Sequence, residues 1–422
     1  MKIKMKRLSY DKVMALPKAK AHRPLKPNIL FRTLIRVLSI PDLLATKFKY
    51  TTERMDEIGN SPCLILMNHS SFIDLKIAYK IFYPKPLSIV CTSDGFVGKS
   101  LLMKLIGCIP TTKFITDLSL ISNINYALNK IKSNVLMFPE ACYSFDGCAT
   151  PLPKRLGVLL KKLNVPVVTV ITHGAFARDP LYNGLQLRKV NVSAEVTCLF
   201  SKDDLKNLPA EELDRQLNEK FGFDNFKWQQ DNKIEIKEPF RADGLNRILY
   251  KCPHCQAEGA NVGKGISMIC GNCGKEYELD IYGRLIATDG EAKFDHIPDW
   301  YNWQRECVLK EITEGRYKLD CEVDIGILVD HKALYMVGEG RLTHTTEGFN
   351  LTGCDGKLNY TQKPAVSYSL NSDYYWYEIG DIICIGDKKV LYYCFPKGCG
   401  DVVAKTRLAT EEIFKLNKAE RA

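Results

Sequence analysis

Short apolar runs alternate with longer amphipathic stretches in the first half of the chain. Between residues 61 and 200 the runs have the length of buried strands, and the stretches repeat their apolar positions with the period of a helix. They predict strands over 63–67, 87–91, 135–138 and 167–172, and helices over 71–82, 101–106, 118–131 and 156–163. This alternation indicates a mostly parallel sheet flanked by helices, with functional residues where the strands end.

The second half of the chain has a different pattern. From about residue 307, short β-rich runs are separated by Gly, Asp and Asn, which predicts an antiparallel β domain closed by a helix over 410–418. The predicted strands cover 323–329, 333–337, 374–379, 381–385 and 390–395. We assign this domain to residues 286–422, and a barrel or roll similar to the pleckstrin-homology fold is one form that it could take.

Residues 28–38 predict a short helix that is apolar over most of its surface. Asn28, Arg32 and Arg36 recur every four residues and form one polar stripe. Such a helix can lie in a membrane interface with its arginines on lipid phosphates, or it can pack on the core as an ordinary helix.

Positive charge is concentrated around this helix. The net charge is +10, but residues 1–50 hold 13 Lys and Arg against two Asp, whereas the other 372 residues hold 46 basic and 47 acidic side chains. We therefore expect residues 1–50 to form a basic, amphipathic segment that seeks an anionic surface, either phospholipid or nucleic acid.

Length and composition restrict the class of protein. A chain of 422 residues predicts two or three domains, and 45% hydrophobic with 26% charged residues excludes disorder, collagen and coiled coil. No apolar run reaches the roughly 18–20 residues of a transmembrane helix, and the basic start leads into no signal-peptide core. We expect a cytoplasmic location, with the 16 cysteines free or on metal rather than in a disulfide framework.

His69 and Asp74 are the first candidates for chemistry. His69 follows the predicted strand 63–67, and Asp74 stands five residues later, one turn into the next helix. A carboxylate so placed can hold the imidazole in one tautomer and leave its other nitrogen free as a general base. Taken alone, the pair is equally typical of a capped helix start.

Two further segments follow strands. Phe138-Pro139-Glu140 begins a loop that contains Ser144 and ends in a turn, and residues 107–113 end in Lys113. Taken alone, each is an ordinary loop.

Together these segments resemble the motifs of the glycerolipid acyltransferase family, typified by 1-acylglycerol-3-phosphate acyltransferases. The resemblance rests on Asn68-His69 with Asp74, on Phe138-Pro139-Glu140 and on residues 165–168, and it covers about residues 28–240. It implies an α/β acyltransferase domain, which we place at residues 51–249.

The resemblance also implies a reaction. His69 would deprotonate the hydroxyl of a lysophospholipid, Asp74 would fix the tautomer, and the alkoxide would attack a fatty acyl thioester of coenzyme A or acyl-carrier protein. No acyl-enzyme and no catalytic cofactor are implied. Four further residues would bind the acceptor: Asn68, Lys113, Glu140 and Ser144.

One departure from the family concerns the acceptor. The third family motif usually continues Gly-Thr-Arg-Ser, whereas here Ala141-Cys142-Tyr143-Ser144 follows Glu140. The bidentate arginine is missing and Lys113 offers only a point charge, so the acceptor need not be plain lysophosphatidate. Lys154 or Arg155 could supply a cation. We expect an active enzyme; the alternative is a non-catalytic lipid-binding adaptor.

Four cysteines between the two halves predict a metal site. Cys252 and Cys255 form one Cys-x-x-Cys pair, and Cys270 and Cys273 form a second one after fourteen intervening residues. This spacing is typical of a zinc ribbon, here residues 250–285, and four thiolates would hold a structural zinc with no open position. We expect His254 to face solvent, and a redox dithiol is the lesser alternative.

Zinc ribbons often bind nucleic acid or protein. Residues 251–284 hold four basic and four acidic side chains, so they lack the positive charge that phosphate backbones require, and we do not expect nucleic acid as a partner. The ribbon is expected to brace the two larger domains or to recruit a protein. His173 could touch substrate or be a loop residue, and Cys384, Cys394 and Cys399 are expected to be buried thiols.

Overall fold

The computed structural model describes residues 3–19, 22–115 and 117–419. Lys2 and Lys20 of the basic N-terminal segment lie outside them. The α-helices are α1 Tyr10–Met14, α2 Ile29–Leu38, α3 Ile40–Ala45, α4 Asp74–Phe82, α5 Ser100–Leu105, α6 Leu118–Asn129, α7 Leu156–Leu163, α8 Ala175–Arg178, α9 Lys202–Asn207, α10 Ala210–Lys220, α11 Asn225–Asp231, α12 Ile297–Thr313 and α13 Val402–Ala419.

The strands of the described residues form three sheets. They are β1 Met5–Arg7, β2 Lys49–Glu53, β3 Leu64–Met67, β4 Leu87–Thr92, β5 Cys108–Thr111, β6 Asn134–Met137, β7 Val167–His173, β8 Ser193–Phe200, β9 Asn261–Lys264, β10 Ser267–Cys270, β11 Glu276–Leu279, β12 Leu285–Ala287, β13 Leu319–Leu328, β14 Leu334–Thr345, β15 Gly348–Gly353, β16 Leu358–Gln362, β17 Asn371–Trp376, β18 Gly380–Gly386 and β19 Leu391–Lys397.

The first sheet has the predicted mixed, mostly parallel form. Its order is β2-β8-β7-β3-β6-β4-β5, and β7 with β8 is the one antiparallel pair among the described residues. The central strand β3 is buried on both faces: Ile65 and Met67 enter one apolar cluster, and Leu64 and Leu66 enter another. A continuous apolar run is what such a doubly covered strand requires.

Strands β2, β5 and β8 were not predicted. β5 occupies the segment 107–113 that by itself suggested a loop, and it contains Pro110. Proline is tolerated there because β5 is the edge strand of this sheet and pairs only with β4 among the described strands.

The C-terminal sheet is antiparallel, as predicted. Its order is β16-β15-β14-β13-β19-β18-β17, so the first strand of this region pairs with the last, and α13 follows. The region does not begin as β structure, however, because residues 297–313 form the 17-residue helix α12. Likeness to a pleckstrin-homology roll stays a prediction.

The N-terminal residues belong to this C-terminal sheet. β1 pairs in parallel with β14, and Val13 of α1 is buried in the same core as Tyr335 and Leu342. Residues 1–50 are therefore not one structural unit, because the part before residue 19 packs on the β domain and the part after residue 28 packs on the mixed sheet.

One apolar core links the three predicted regions. A single cluster contains Tyr182 and Leu249 from the first region, Tyr277 from the cysteine-rich unit, and Trp300 and Tyr374 from the C-terminal region. Trp300 is fully buried, its Nε1 donates to the Lys251 carbonyl over 2.9 Å, and its ring meets Tyr277 edge-on. The predicted boundaries at residues 249 and 285 do not separate independent cores.

A disulfide corrects the expectation for one cysteine. Cys399 is bonded to Cys321, which lies 78 residues earlier on β13, so Cys399 is not a free thiol. The antiparallel pairing of β13 with β19, which places Glu322 opposite Lys397, brings the two cysteines together, and spacing along the chain does not show it. Cys384 and Cys394 are free and buried.

Among the residues that the structure describes, no helix is both long enough and apolar enough to cross a membrane.

Candidate active site

The carboxylate of Asp74 organises the end of β3. Asp74 is the first residue of α4, and its Oδ2 accepts hydrogen bonds from His69 Nδ1 over 3.1 Å, from the Ser70 amide over 2.9 Å and from the Ser71 amide over 3.1 Å. The side chain is 1% exposed. Three donors and the positive end of the helix dipole offset the cost of burying this charge.

The imidazole of His69 lies between two aromatic rings. Phe138 stacks on one face with a centroid distance of 4.0 Å, and Tyr143 stacks on the other at 3.9 Å. This burial lowers the pKa of His69, although Asp74 acts in the opposite direction. In the neutral tautomer whose Nδ1–H donates to Asp74, Nε2 is the proton acceptor. The arrangement is that of a general base at neutral pH.

Asn68 and Glu140 join the loops around His69. Asn68 Oδ1 accepts from the Thr172 amide over 2.8 Å, which ties the end of β3 to the end of β7. Glu140 accepts from the His69 amide through Oε1 and from Thr150 through Oε2, and burial raises its pKa to about 7. Both side chains are 0% exposed, so they position the site and offer no surface to an acceptor.

Ser144, which was predicted to bind the acceptor, makes its hydrogen bonds within the protein. Its Oγ donates to the Cys148 carbonyl over 2.6 Å, its amide donates to the His69 carbonyl over 3.2 Å, and the residue is buried. The hydroxyl is thus used to hold its own loop. Asn68, Glu140 and Ser144 are all buried, so none of them presents a surface for the predicted contact with the acceptor.

Lys113 is the predicted acceptor residue that remains partly accessible. It follows β5 and is half-buried, and its positive charge adds to burial in lowering the pKa of His69. Lys113 is therefore close enough to the imidazole to interact with it electrostatically. Lys154 and Arg155 are exposed ahead of α7.

His173 lies at the end of β7, and its side chain contacts Glu195 and Trp228. Its Nε2 is 3.2 Å from Glu195 Oε1, and its ring stacks with Trp228. These contacts favour the interpretation of His173 as an ordinary end-of-strand residue.

Sequence reasoning missed three contributors to the site. Tyr143 covers His69, Ser71 Oγ donates to the buried Asp179, and Arg407 of α13 donates to Cys142 Sγ and to the Tyr143 carbonyl. Burial raises the pKa of Asp179 to about 7. Tyr143 stands inside the third motif and could have been suspected, whereas no local pattern connects residues 179 and 407 with His69.

The four cysteines of the ribbon come together as predicted. Their Sγ atoms all lie within 4.8 Å of one another, with Cys252 and Cys273 at 3.8 Å and Cys255 and Cys270 at 3.7 Å. A tetrahedral zinc with Zn–S bonds of about 2.3 Å gives sulfur separations of about 3.8 Å, so the residues fit this metal. His254 is exposed.

The ribbon backbone supports the same fit. The strands β12-β11-β10-β9 form a four-stranded antiparallel sheet, and Cys270 ends β10. The amide of Ala257 donates to the sulfur of Cys255 and lowers the pKa of its thiol to about 6, which favours a thiolate there. Gly274 has φ +73°, a conformation that closes the second turn and that glycine adopts without strain.

Residues 47–173 match the Acyltransferase family model. This region contains His69, Asp74, Lys113, Glu140 and Ser144. Among solved structures, the 1-acyl-sn-glycerophosphate (LPA) acyltransferase PlsC from Thermotoga maritima is similar over 45% of this chain and 76% of that chain, with 15% sequence identity and a TM-score of 0.37. This degree of similarity is too low to assign a fold or a function to this chain. No curated protein sequence matches the chain.

The cysteine geometry predicts about one zinc per chain after purification without chelators, because four thiolates complete a single tetrahedral site. Cys270→Ser should lower the zinc content well below one and lower the unfolding temperature. Cys354→Ser, at a free, half-buried cysteine on the β domain, is the matched control and should retain the metal. Atomic emission measures both; native protein without zinc would contradict the assignment.

Proposed function

We propose that this protein transfers a fatty acyl group from an acyl thioester to the hydroxyl of a lysophospholipid. The observation that carries the proposal is the pair His69–Asp74: a largely buried imidazole whose Nδ1 is held by a carboxylate at the end of a parallel strand. The match of residues 47–173 to the Acyltransferase model supports the reaction class.

The reaction follows from the tautomer of His69. Nε2 removes the proton of the acceptor hydroxyl as its oxygen attacks the thioester carbonyl, and Asp74 stabilises the imidazolium that forms. The tetrahedral intermediate then expels the thiolate of coenzyme A or acyl-carrier protein, which takes up the proton from His69. The acyl group ends on the acceptor oxygen and the proton ends on the released thiol, so no acyl-enzyme or catalytic cofactor is needed.

We further propose that the protein works at the cytoplasmic face of a membrane. Helices α2 and α3 turn apolar side chains outward, with Leu30 75% and Leu44 72% exposed, and α5 adds Leu101 at 70%. α2 adjoins α5 because the Asn28 amide donates to the Leu105 carbonyl. An apolar surface of this kind, beside the exposed Lys26 and Lys47, suits an anionic bilayer.

One detail of the predicted membrane helix is wrong. Arg32 is 8% exposed and its Nη1 donates to the Pro84 carbonyl, so it fixes α2 to the protein and is unavailable to lipid phosphates. The apolar face of α2, rather than its arginine stripe, is the surface offered to lipid.

The proposed reaction predicts thiol release that requires both a lysolipid and His69. His69→Ala should reduce turnover by about 10²–10⁴-fold, the range typical of a lost general base. Asp74→Asn should also cause a large loss, because the amide no longer stabilises the imidazolium. The assay offers a fatty acyl-CoA or acyl-carrier protein with lysophosphatidate, lysophosphatidylethanolamine or lysophosphatidylglycerol.

His173→Ala is the matched control, since His173 ends a neighbouring strand yet pairs with Glu195, and it should retain activity. If no thioester and lysolipid pair gives His69-dependent release while the protein still binds lipid and zinc, the lipid-binding adaptor becomes the better account.

The membrane proposal predicts that Leu30→Asp with Leu34→Asp abolishes flotation with phosphatidylglycerol-containing vesicles at low salt, because both side chains lie on the exposed apolar face. Leu187→Asp places the same charge on an exposed leucine in the loop between β7 and β8 and should leave binding unchanged. Point variants are preferable to removing residues 1–50, since β1 and α1 pack into the β domain. Equal binding of both variants would contradict the assigned surface.

A further inference from the structure

We propose that Arg407 of α13 is a positioning residue for the candidate active site. It fixes the sulfur of Cys142 and the carbonyl of Tyr143, and so holds the ring of Tyr143 over His69. The inference rests on the proposed function, and it gives the C-terminal region a role in catalysis.

Arg407 makes three contacts with the loop that follows β6. Its Nη2 lies 2.9 Å from Cys142 Sγ, its Nη1 donates to the Tyr143 carbonyl over 3.5 Å, and its guanidinium carbon lies 4.3 Å from the centroid of the Phe145 ring. Carbonyl, sulfur and ring together fix three residues of the loop from one side chain.

The same geometry excludes Arg407 as a ligand for the acceptor phosphate. The residue is 3% exposed, and its Nε donates to Glu411 Oε1 over 3.4 Å. Although a guanidinium does approach the position where the third motif lacks its arginine, it binds the protein and not a substrate.

The buried carboxylate of Glu411 holds Arg407 in place. Glu411 stands one turn later on α13, accepts from Ser369 Oγ over 2.7 Å and lies 2.7 Å from Arg305 Nη1 of α12. Each buried charge therefore has a partner, which burial demands. Glu411 contacts Arg407 through Oε1 and Arg305 through Oε2, so its contact with Arg407 does not run through Arg305.

The loop after β6 has a strained residue that favours relaxation, and it contacts His69 directly. Ala141 has φ +59°, a left-handed conformation that a residue with a Cβ adopts reluctantly. Two residues later Tyr143 stacks on His69, and the Ser144 amide donates to the His69 carbonyl. An unanchored loop would relax at Ala141 and uncover the imidazole.

The test compares Arg407→Met with Arg305→Met. Both remove one arginine from the Glu411 cluster, but only Arg407 touches the loop. Histidine NMR titration, with the His69 signal assigned through His69→Gln, reports the pKa of the imidazole whether or not turnover is found. Asp74 and Lys113 are unchanged in both variants, whereas Glu140, which accepts from the His69 amide, loses the nearby charge of Arg407 in Arg407→Met and keeps a cation there in Arg407→Lys.

We expect Arg407→Met to raise the titration midpoint of His69, because the uncovered ring is better solvated, and to lower kcat at least tenfold with a smaller change in KM. Arg305→Met should change neither. Equal behaviour of the two variants, or no shift in either, would overturn the inference.

Arg407→Lys guards against a folding failure. It retains a cation for Glu411 but cannot contact sulfur, carbonyl and ring together. It should shift the His69 midpoint in the same direction with normal zinc content, and an unshifted midpoint would likewise overturn the inference. If native protein shows no acyl transfer, the proposed function fails while the NMR comparison still decides the role of Arg407.

Discussion

The hydrogen bonds of one buried carboxylate oxygen determine the arrangement of the candidate site. Asp74 Oδ2 accepts hydrogen bonds from His69 Nδ1 and from the amides of Ser70 and Ser71. These bonds fix the backbone conformation of the turn between β3 and α4. This conformation of the turn places the imidazole of His69 between the rings of Phe138 and Tyr143. Stacking then removes water from the ring and keeps it neutral, while the carboxylate retains the capacity to stabilise its charged form.

The surrounding loops depend on equally internal bonds. Glu140 connects the His69 amide to Thr150, Asn68 connects β3 to β7, and Arg407 reaches the same region from α13. The residues that resemble family motifs are thus mainly a scaffold around the imidazole of His69. The shared core around Trp300 makes the cysteine-rich unit and the β domain parts of this scaffold rather than independent modules.

The sequence pattern predicted correctly those features that depend on residues close together in the chain. The apolar run of β3, the His69–Asp74 spacing and the two Cys-x-x-Cys pairs are each visible within a few residues of sequence, and each forms as predicted. Failures occurred where partners are distant. Strand β1 pairs with β14, Cys321 bonds Cys399, and Arg407 meets Cys142, in each case across a long stretch of chain whose path only tertiary packing determines. Helix α12 was missed because its apolar side chains are interspersed with charged ones.

The most direct test of the account is the pH dependence of kcat/KM for acyl transfer by the native protein. If the largely buried, neutral His69 is the base, the rate rises through one group with a midpoint below 6.5, the ordinary pKa of histidine, and then stays level towards pH 8. A midpoint at or above 6.5, or a rate that falls as His69 loses its proton, would contradict the proposal that a neutral imidazole starts the reaction.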